Sequence, residues 1–447
     1  MRDQLKPFTA PRGKAPKPHL LCAAKETVIN LIDQTIEPVK EFSFAEACGS
    51  LDKTTSSGFP HHVTKNNHWN GQAFTGPLAD QASKANLLYE QGKSQTPVYT
   101  AALKDELVKP TKVYGAIKKR LLWGADLGTM IRCARAFGGF CEALKAACVQ
   151  LPIRVGININ EDGPIILEKH AKFKYHMDAD YSRWDSTQQR AIIAEALSIM
   201  VHFSTRPELA DVVAQDLAAP SQLDVGDFVV RVNEGLPSGT PCTSQLNSIA
   251  HWLLTLCAMS DVTGLDPDVV QANSVFSFYG DDEIISTDIE IDPMALTNKL
   301  REYGLVPTRP DKTEGPLIRH TSLAGLTFLR RTIVSDNIGW FGRLDKSSIE
   351  RQLFWTRGPN HSDPDESLIP HAQRATQLMC LLGEASLHGR KFYMKIANKV
   401  ISEIKEGGMD FYVPKFEALF RWMRFSDLST WEGDRNLAPD FVNEEDV

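Results

Sequence analysis

The chain has 447 residues, 42% of them apolar, 23% charged and 9% aromatic, with a net charge of −7, a balance that excludes disordered and disulfide-stapled classes and fits a globular protein of two or three lobes at about 150 residues each. Its eight cysteines (Cys22, Cys48, Cys133, Cys141, Cys148, Cys242, Cys257 and Cys380) form no CxxC pair, which argues against zinc ligation and fits a reducing compartment. The basic, proline-rich start has no signal-peptide core, and the longest apolar stretch, around Ile249 to Met259, is far short of the roughly 20 residues a bilayer needs.

In chain order, Leu20 to Ile36 carries a helical stripe, and the following loops, such as SLDKTTSSGFPHH, show no period. The segment Lys104 to Arg135 concentrates eight bases against three acids, a net of +5. Taken alone it reads equally as an anion-binding surface and as an ordinary solvated face. FKYHMDADYSRWD alternates as a strand, and Ser186 to Phe203 then places Ile192, Ile193, Ala196, Ile199 and Met200 on one helical face. A second helix is predicted from Pro241 to Val262, after the turn-rich string GLPSGTP. VFSFYGDDEIIS reads as a hairpin, and Met294 to Tyr303 as a helix stopped by Gly304. GLTFLRR to NIGWFGR suggests another hairpin. Ser348 to Trp355, Gln373 to His388 and Phe392 to Lys405 make a helical end. The last stretch, from Ser426, carries seven acids against Arg435 and has no apolar period.

The chemistry concentrates in three strings. Tyr279-Gly280-Asp281-Asp282 puts two carboxylates at a hairpin tip; turns favour Asp and Gly, but adjacent carboxylates repel unless a cation neutralises them. Asp180 and Asp185, with Asp178 before them, lie where the earlier strand gives way to its helix. If that strand lies beside the hairpin, Asp180 and Asp281 can face each other across two magnesium ions roughly 4 Å apart, the arrangement for in-line phosphoryl transfer. Asp185 reads equally as an N-cap for a helix starting near Ser186. Between the acid sites, Ser238-Gly239 precedes Thr243 and Asn247, which share a helix face; Asn247 and Asp185 together suit the hydrogen bonds of a ribose 2′-OH.

KDELVKP, KKRLLWG, IRCARAFGG, DYSRWDSTQQ, GLPSGTPCTSQLN, FYGDDEIIST and FLRR stand in this order along the chain. In that order the chain resembles the caliciviral RNA-dependent RNA polymerases, the norovirus members above all, from Met1 to nearly its end. The resemblance implies an α/β (α+β) right-hand polymerase fold: fingers over 1–125, a palm of antiparallel sheet plus helices over 126–345 with an inserted fingers segment near 154–174, a helical thumb over 346–430, and an acidic tail over 431–447. It implies that two Mg²⁺ or Mn²⁺ ions are bound by Asp180, Asp281 and Asp282, and that Lys312 protonates the leaving pyrophosphate. Lys104, Lys118, Arg120, Asp185, Ser238, Thr243 and Asn247 would hold the nucleotide. Thr55, Ser56, Ser57, Gly58, Arg330 and Arg357 would contact RNA.

The partners so implied are template and product RNA, NTPs, a genome-linked protein primer, other viral replication proteins and a second copy of the chain. The implied location is the host cytoplasm, at replication membranes reached through partners, since no anchor is encoded. Relatives of this kind begin several tens of residues earlier and end in a Glu cleavage site, so a truncated chain is expected. The segment around Trp431 is expected to lie in the cleft as a plug that RNA displaces, or else to be a plain acidic tail. Two competing functions are a catalytically silent RNA-binding form, which intact Asp180, Asp281 and Asp282 speak against, and a reverse transcriptase, which the polar Asp185–Asn247 pair speaks against.

Overall fold

A computed structural model describes residues 5–10, 12–104, 120–309, 313, 315–354, 371–407 and 411–427. The chain divides into two compact units, one made of 1–157 and 173–322, the other of 158–172 and 323–447.

In the first unit, helix α1 (Pro18–Asp33) covers the apolar stripe read from the sequence, burying Leu20, Ala24, Val28 and Ile32. Helix α2 (Pro77–Glu90) and strand β1 (Val98–Leu103) follow, then β2 (Leu121–Ala125) and α3 (Leu127–Ala146). Asp126 caps α3 by accepting from the Thr129 N–H. Strand β3 (Tyr175–Tyr181) is almost wholly buried. Beyond it the single helix expected over Ser186 to Phe203 is broken: a turn at Trp184–Thr187 is separated from α4 (Arg190–His202). The reason lies across the chain, where the carbonyls of Asp185 and Gln188 accept from the N–H groups of Leu236 (2.8 Å) and Gly235 (3.0 Å). Those acceptors are then not available to a continuous helical ladder.

After α5 (Pro207–Ala218), strands β4 (Ser221–Asp224) and β5 (Val229–Val232) complete a four-stranded sheet in the order β2-β1-β4-β5. Helix α6 (Thr243–Thr263) is buried on every side from Gln245 to Ser260, its polar residues included. It starts two residues after the expected Pro241, because Cys242 adopts a left-handed conformation (φ 56°). Strands β6 (Ser274–Tyr279) and β7 (Asp282–Thr287) form the predicted hairpin. Helix α7 (Pro293–Glu302) ends at left-handed Gly304 (φ 85°), whose freedom from a Cβ lets Leu305 N–H turn back to the Leu300 carbonyl. Strand β8 (Pro307–Thr308) closes a second sheet, ordered β6-β7-β3-β8.

One buried cation braces this second sheet from behind. The Arg154 guanidinium, 2% exposed, donates to the carbonyls of Cys148 (2.7 Å) and Phe276 (3.0 Å) and to Ser277 Oγ (2.8 Å). Burial pulls its pKa down to about 9. Its donors meet carbonyls of the 148–151 loop and of β6 together, which ties that loop to the strand.

In the second unit, the helix Asp162–His170 packs beside a three-stranded sheet ordered β11-β10-β9, where β9 is Thr327–Phe328, β10 Arg331–Ser335 and β11 Trp340–Leu344. The expected second hairpin is thus the β10–β11 pair with a short third strand. Helices α8 (Lys346–Gln352), α9 (His371–Ser386), α10 (Arg390–Gly407) and α11 (Phe416–Phe425) form the predicted helical end around Leu378, Leu382, Ile396, Val400 and Leu419. All eight cysteines are free thiols, and no described helix is long and apolar enough to cross a membrane.

Candidate active site

The two acid strings meet in one sheet. Antiparallel pairing of β6 with β7 runs to Tyr279 opposite Asp282, so Gly280 and Asp281 form a two-residue turn. Gly280 has φ 63°, which a glycine adopts without penalty. The flanking Phe276, Phe278, Ile284 and Ile285 are all buried, as the apolar flanks predicted. Strand β3 lies beside β7, with Asp178 opposite Ile284 and Ala179 opposite Glu283. Asp180 therefore follows at the end of the ladder where Asp282 begins β7. On its other edge Asp180 pairs with Thr308, whose hydroxyl donates to the Asp180 carbonyl at 3.0 Å.

Alternation assigns the faces. Asp178 and Asp180 share one face of β3, while Ala179 and Tyr181 share the opposite face. Glu283 follows that second face: it is buried and accepts from the Tyr181 hydroxyl at 2.8 Å, so it is not part of the acid set at the sheet end. Asp180, Asp281 and Asp282 are half-buried at the sheet end. A donor set of carboxylate oxygens with neither sulfur nor imidazole suits a hard divalent cation, so the residues fit magnesium or manganese. Among the described residues no three His, Cys, Asp or Glu side chains are already gathered closely enough to hold an ion.

Asp185 sits inside the short turn at Trp184–Thr187, and its side chain caps no helix, which corrects the capping alternative. Its carboxylate instead accepts from Asn247 Nδ2 at 3.3 Å. Asn247 Oδ1 in turn accepts from the indole N–H of Trp184 at 3.0 Å. Burial pushes the Asp185 carboxyl up to about 6; the Asn247 bond and the Arg120 charge oppose that shift and the Asp281 charge adds to it. Because the folded pKa exceeds the unfolded one, this carboxylate costs stability as pH rises from about 4 to about 6. It is charged, and able to accept two hydrogen bonds, only above that range. For the polymerase activity that the resemblance implies, nucleotide incorporation at limiting substrate is therefore expected to fall below about pH 6, and Asp185→Asn should lose that acid limb. A pH profile of kcat/KM with the same limb in the variant would refute the assignment.

The Ser238-Gly239 loop docks on β2. Ser238 Oγ accepts from the Trp123 N–H at 3.3 Å, and a Cβ on Gly239 would lie 1.6 Å from the Trp123 carbonyl oxygen. Only glycine allows that approach. Thr243 donates to the Thr240 carbonyl, closing the entry to α6. Tyr99 and Thr240 hydroxyls meet at 3.0 Å underneath. Neither Trp123 nor Trp184 was marked by the sequence; both are aromatic residues that read simply as core.

Lys104 and Arg120 are adjacent, the Lys104 N–H donating to the Arg120 carbonyl at 2.9 Å, and the Arg120 charge reaches Asp185. Lys118, Lys312, Arg357 and Trp431 lie outside the described residues. In the 55–58 loop, Thr55 and Ser56 are exposed but Ser57 is fully buried, which removes its side chain from an RNA-facing role. The Leu127 N–H donates to the Ser57 carbonyl at 2.9 Å, and a Cβ on Gly58 would lie 2.5 Å from the Ala125 carbonyl. Lys65, 1% exposed, donates to Thr55 Oγ1 at 2.5 Å and to the Ser56 carbonyl at 2.8 Å. Burial lowers its pKa to about 8. Arg330 is exposed in the second unit, in a left-handed turn (φ 59°) between β9 and β10.

Comparison with known proteins places these features in context. A family model described as viral RNA-dependent RNA polymerase matches residues 1–405. Over 447 residues the chain is 64% identical to the genome polyproteins of Southampton virus and of the Norwalk strain of norovirus, covering 100% of this chain and 25% of each polyprotein. It is 34% identical over 409 residues to the genome polyprotein of a feline calicivirus, covering 88% of this chain and 23% of that one. The chain thus spans about a quarter of the length of the curated relatives it matches. Among solved structures, a Sicinivirus 3Dpol RNA dependent RNA polymerase shares the fold with a TM-score of 0.76 at 21% identity, covering 94% of this chain and 88% of that chain.

Proposed function

Because this chain belongs to the viral RNA-dependent RNA polymerase family, we propose that it extends an RNA 3′-OH, or the hydroxyl of a protein primer, with NTPs chosen by base pairing to an RNA template. The observation that carries the reading is the meeting of Asp180, Asp281 and Asp282 at one sheet end, with the Asp185–Asn247 pair electrostatically coupled to it. Two bound Mg²⁺ or Mn²⁺ ions would activate the attacking hydroxyl and neutralise the leaving pyrophosphate.

The protein's own residues then have separable tasks. Asp180 and Asp281 hold the ions, with Asp282 in support. Asp185 and Asn247 present an acceptor and an amide to the ribose 2′-OH, the group that separates ribo- from deoxynucleotides. Ser238 and Thr243 shape the sugar side of the pocket. Lys104, Lys118 and Arg120 neutralise the triphosphate, and Lys312 returns a proton to pyrophosphate as it departs. Thr55, Ser56, Arg330 and Arg357 hold RNA through its backbone, with buried Gly58 shaping the 55–58 loop, so binding weakens steeply with salt.

In this reading 1–125 act as fingers, 126–345 as palm with the segment near 154–174 inserted from the fingers, and 346–430 as thumb. The work is done in the host cytoplasm beside other replication proteins, with membrane attachment supplied by partners. The test is nucleotide incorporation on a primed homopolymeric RNA template with Mg²⁺ or Mn²⁺. Template-dependent extension is the expected result; bound RNA with no extension under either ion would sink the reading.

A further inference from the structure

Helix α6 does more than carry Asn247. Positions 247, 251 and 255 recur every four residues along one ridge, with Ser248 beside it. Two of these side chains, Ser248 and His251, grip the two successive peptide units that flank Gly280 in the acid turn. Ser248 Oγ accepts from the Gly280 N–H at 3.0 Å and donates to the Ser244 carbonyl at 2.7 Å. His251 Nδ1 donates to the Gly280 carbonyl at 2.9 Å. Both side chains are fully buried.

The grip is itself held. His251 Nε2 lies 3.5 Å from Glu283 Oε2, and Glu283 also accepts from Tyr181 and from Thr255 Oγ1 at 2.7 Å. The imidazole packs among Tyr181, Trp184 and Phe278, with ring centroids 4.8, 4.3 and 4.8 Å away. Trp184 is the residue that donates to Asn247. On the outer side of the turn, no atom lies within 4 Å of where a Gly280 Cβ would stand, so that side offers no steric support. Hydrogen bonds to the two peptide units on either side of one residue orient that residue far more narrowly than packing alone, because each weakens steeply with angle.

We infer that Ser248 and His251 are positioning residues that fix the Gly280–Asp281 turn to the helix bearing Asn247. Capture of the ribose hydroxyl and placement of the Asp281 carboxylate are then borne by the same helix face. A correct sugar steadies the turn, and a missing 2′-OH leaves it less well placed. Misplacement of about 1 Å in a reacting group costs up to a hundredfold in rate, so the consequence falls on kcat rather than on KM.

The inference rests on the polymerase reading, and the experiment separates the two. Steady-state kcat and KM are measured for ATP and for 2′-deoxyATP on a primed poly(U) template, using the wild-type chain, His251→Leu, Ser248→Ala and His251→Asn. His251→Leu is expected to lower kcat for ATP by about ten- to a hundredfold, with a much smaller loss for 2′-deoxyATP, so that the ribo-over-deoxy ratio in kcat shrinks while the ratio in KM persists. Ser248→Ala should act in the same direction more weakly, and it keeps the fold readable if His251→Leu lowers the melting temperature too far. His251→Asn keeps a donor near the Nδ1 position and should recover most of the ratio. Equal slowing of both nucleotides, or no slowing, in His251→Leu and Ser248→Ala overturns the inference while leaving the polymerase reading intact. No incorporation by the wild-type chain overturns both.

Discussion

Asp281→Asn is expected to abolish templated incorporation, by about a thousandfold or more, without loss of fold or of RNA affinity. The substitution isolates charge. Asparagine matches aspartate in size and is equally at home in a two-residue turn, so the Tyr279–Asp282 pairing has no reason to change. Asp281 is only half-buried, and its charge raises the pKa of Asp185, so its removal relieves repulsion rather than creating an unpaired partner. What is lost is one anionic oxygen ligand, which a neutral amide replaces poorly for a hard cation. Primer extension, a thermal melt and an RNA-binding isotherm on both proteins make the check. Extension by the variant within tenfold of wild type would remove Asp281 from the metal site.

The second large effect is expected at Gly239→Ala, a residue with no functional group. Its Cβ would sit 1.6 Å from the Trp123 carbonyl oxygen and 2.7 Å from the Trp123 carbonyl carbon, both backbone atoms of β2. Neither can rotate aside as a flexible side chain would. Strand β2 is anchored by its pairing of Trp123 with Ala101, so the Ser238–Thr240 loop must move instead. That displacement breaks the Trp123–Ser238 and Tyr99–Thr240 bonds and shifts the start of α6. A cost of about 1–3 kcal/mol in stability is expected from the overpacking, together with at least a tenfold rise in KM for NTP. Gly49→Ala is the control, since nothing lies within 4 Å of its Cβ position and it ends a short helix without unusual backbone angles. A Gly239→Ala protein that melts and binds NTP like the control would show that β2 yields more easily than its pairing implies.

Much of this site was readable along the chain, for a physical reason specific to each element. The Tyr279–Asp282 hairpin, the DADY strand, the buried helix after GLPSGTP and the Gly304 stop each follow from a period, a turn residue or a cap lying within a dozen residues. The acids proposed to hold metal stood out in the same way, because two carboxylates at the tip of an apolar hairpin contradict local economy unless a cation resolves them. The order of the seven strings along the chain already carries the likeness to the polymerase family, because each lies within a short stretch of sequence.

Other features depended on segments far apart in sequence. The helix expected from Ser186 is broken because Gly235 and Leu236, some fifty residues later, claim its carbonyls. The resemblance put Ser57 with Thr55 and Ser56 as an RNA contact, but the 55–58 loop folds against the start of α3 and buries it. Nothing local along the chain marks Lys65 or Arg154, yet both are buried and donate to backbone carbonyls. Nothing local marks His251, Ser248 or Glu283 either, and the bonds they make exist only because β6 and β7 lie beside α6. Periodicity and turn chemistry are short-range properties that a residue and its neighbours settle. Which donor reaches which acceptor, and which carboxylate ends beside which, is decided when distant strands pair, and strand order alone does not specify it.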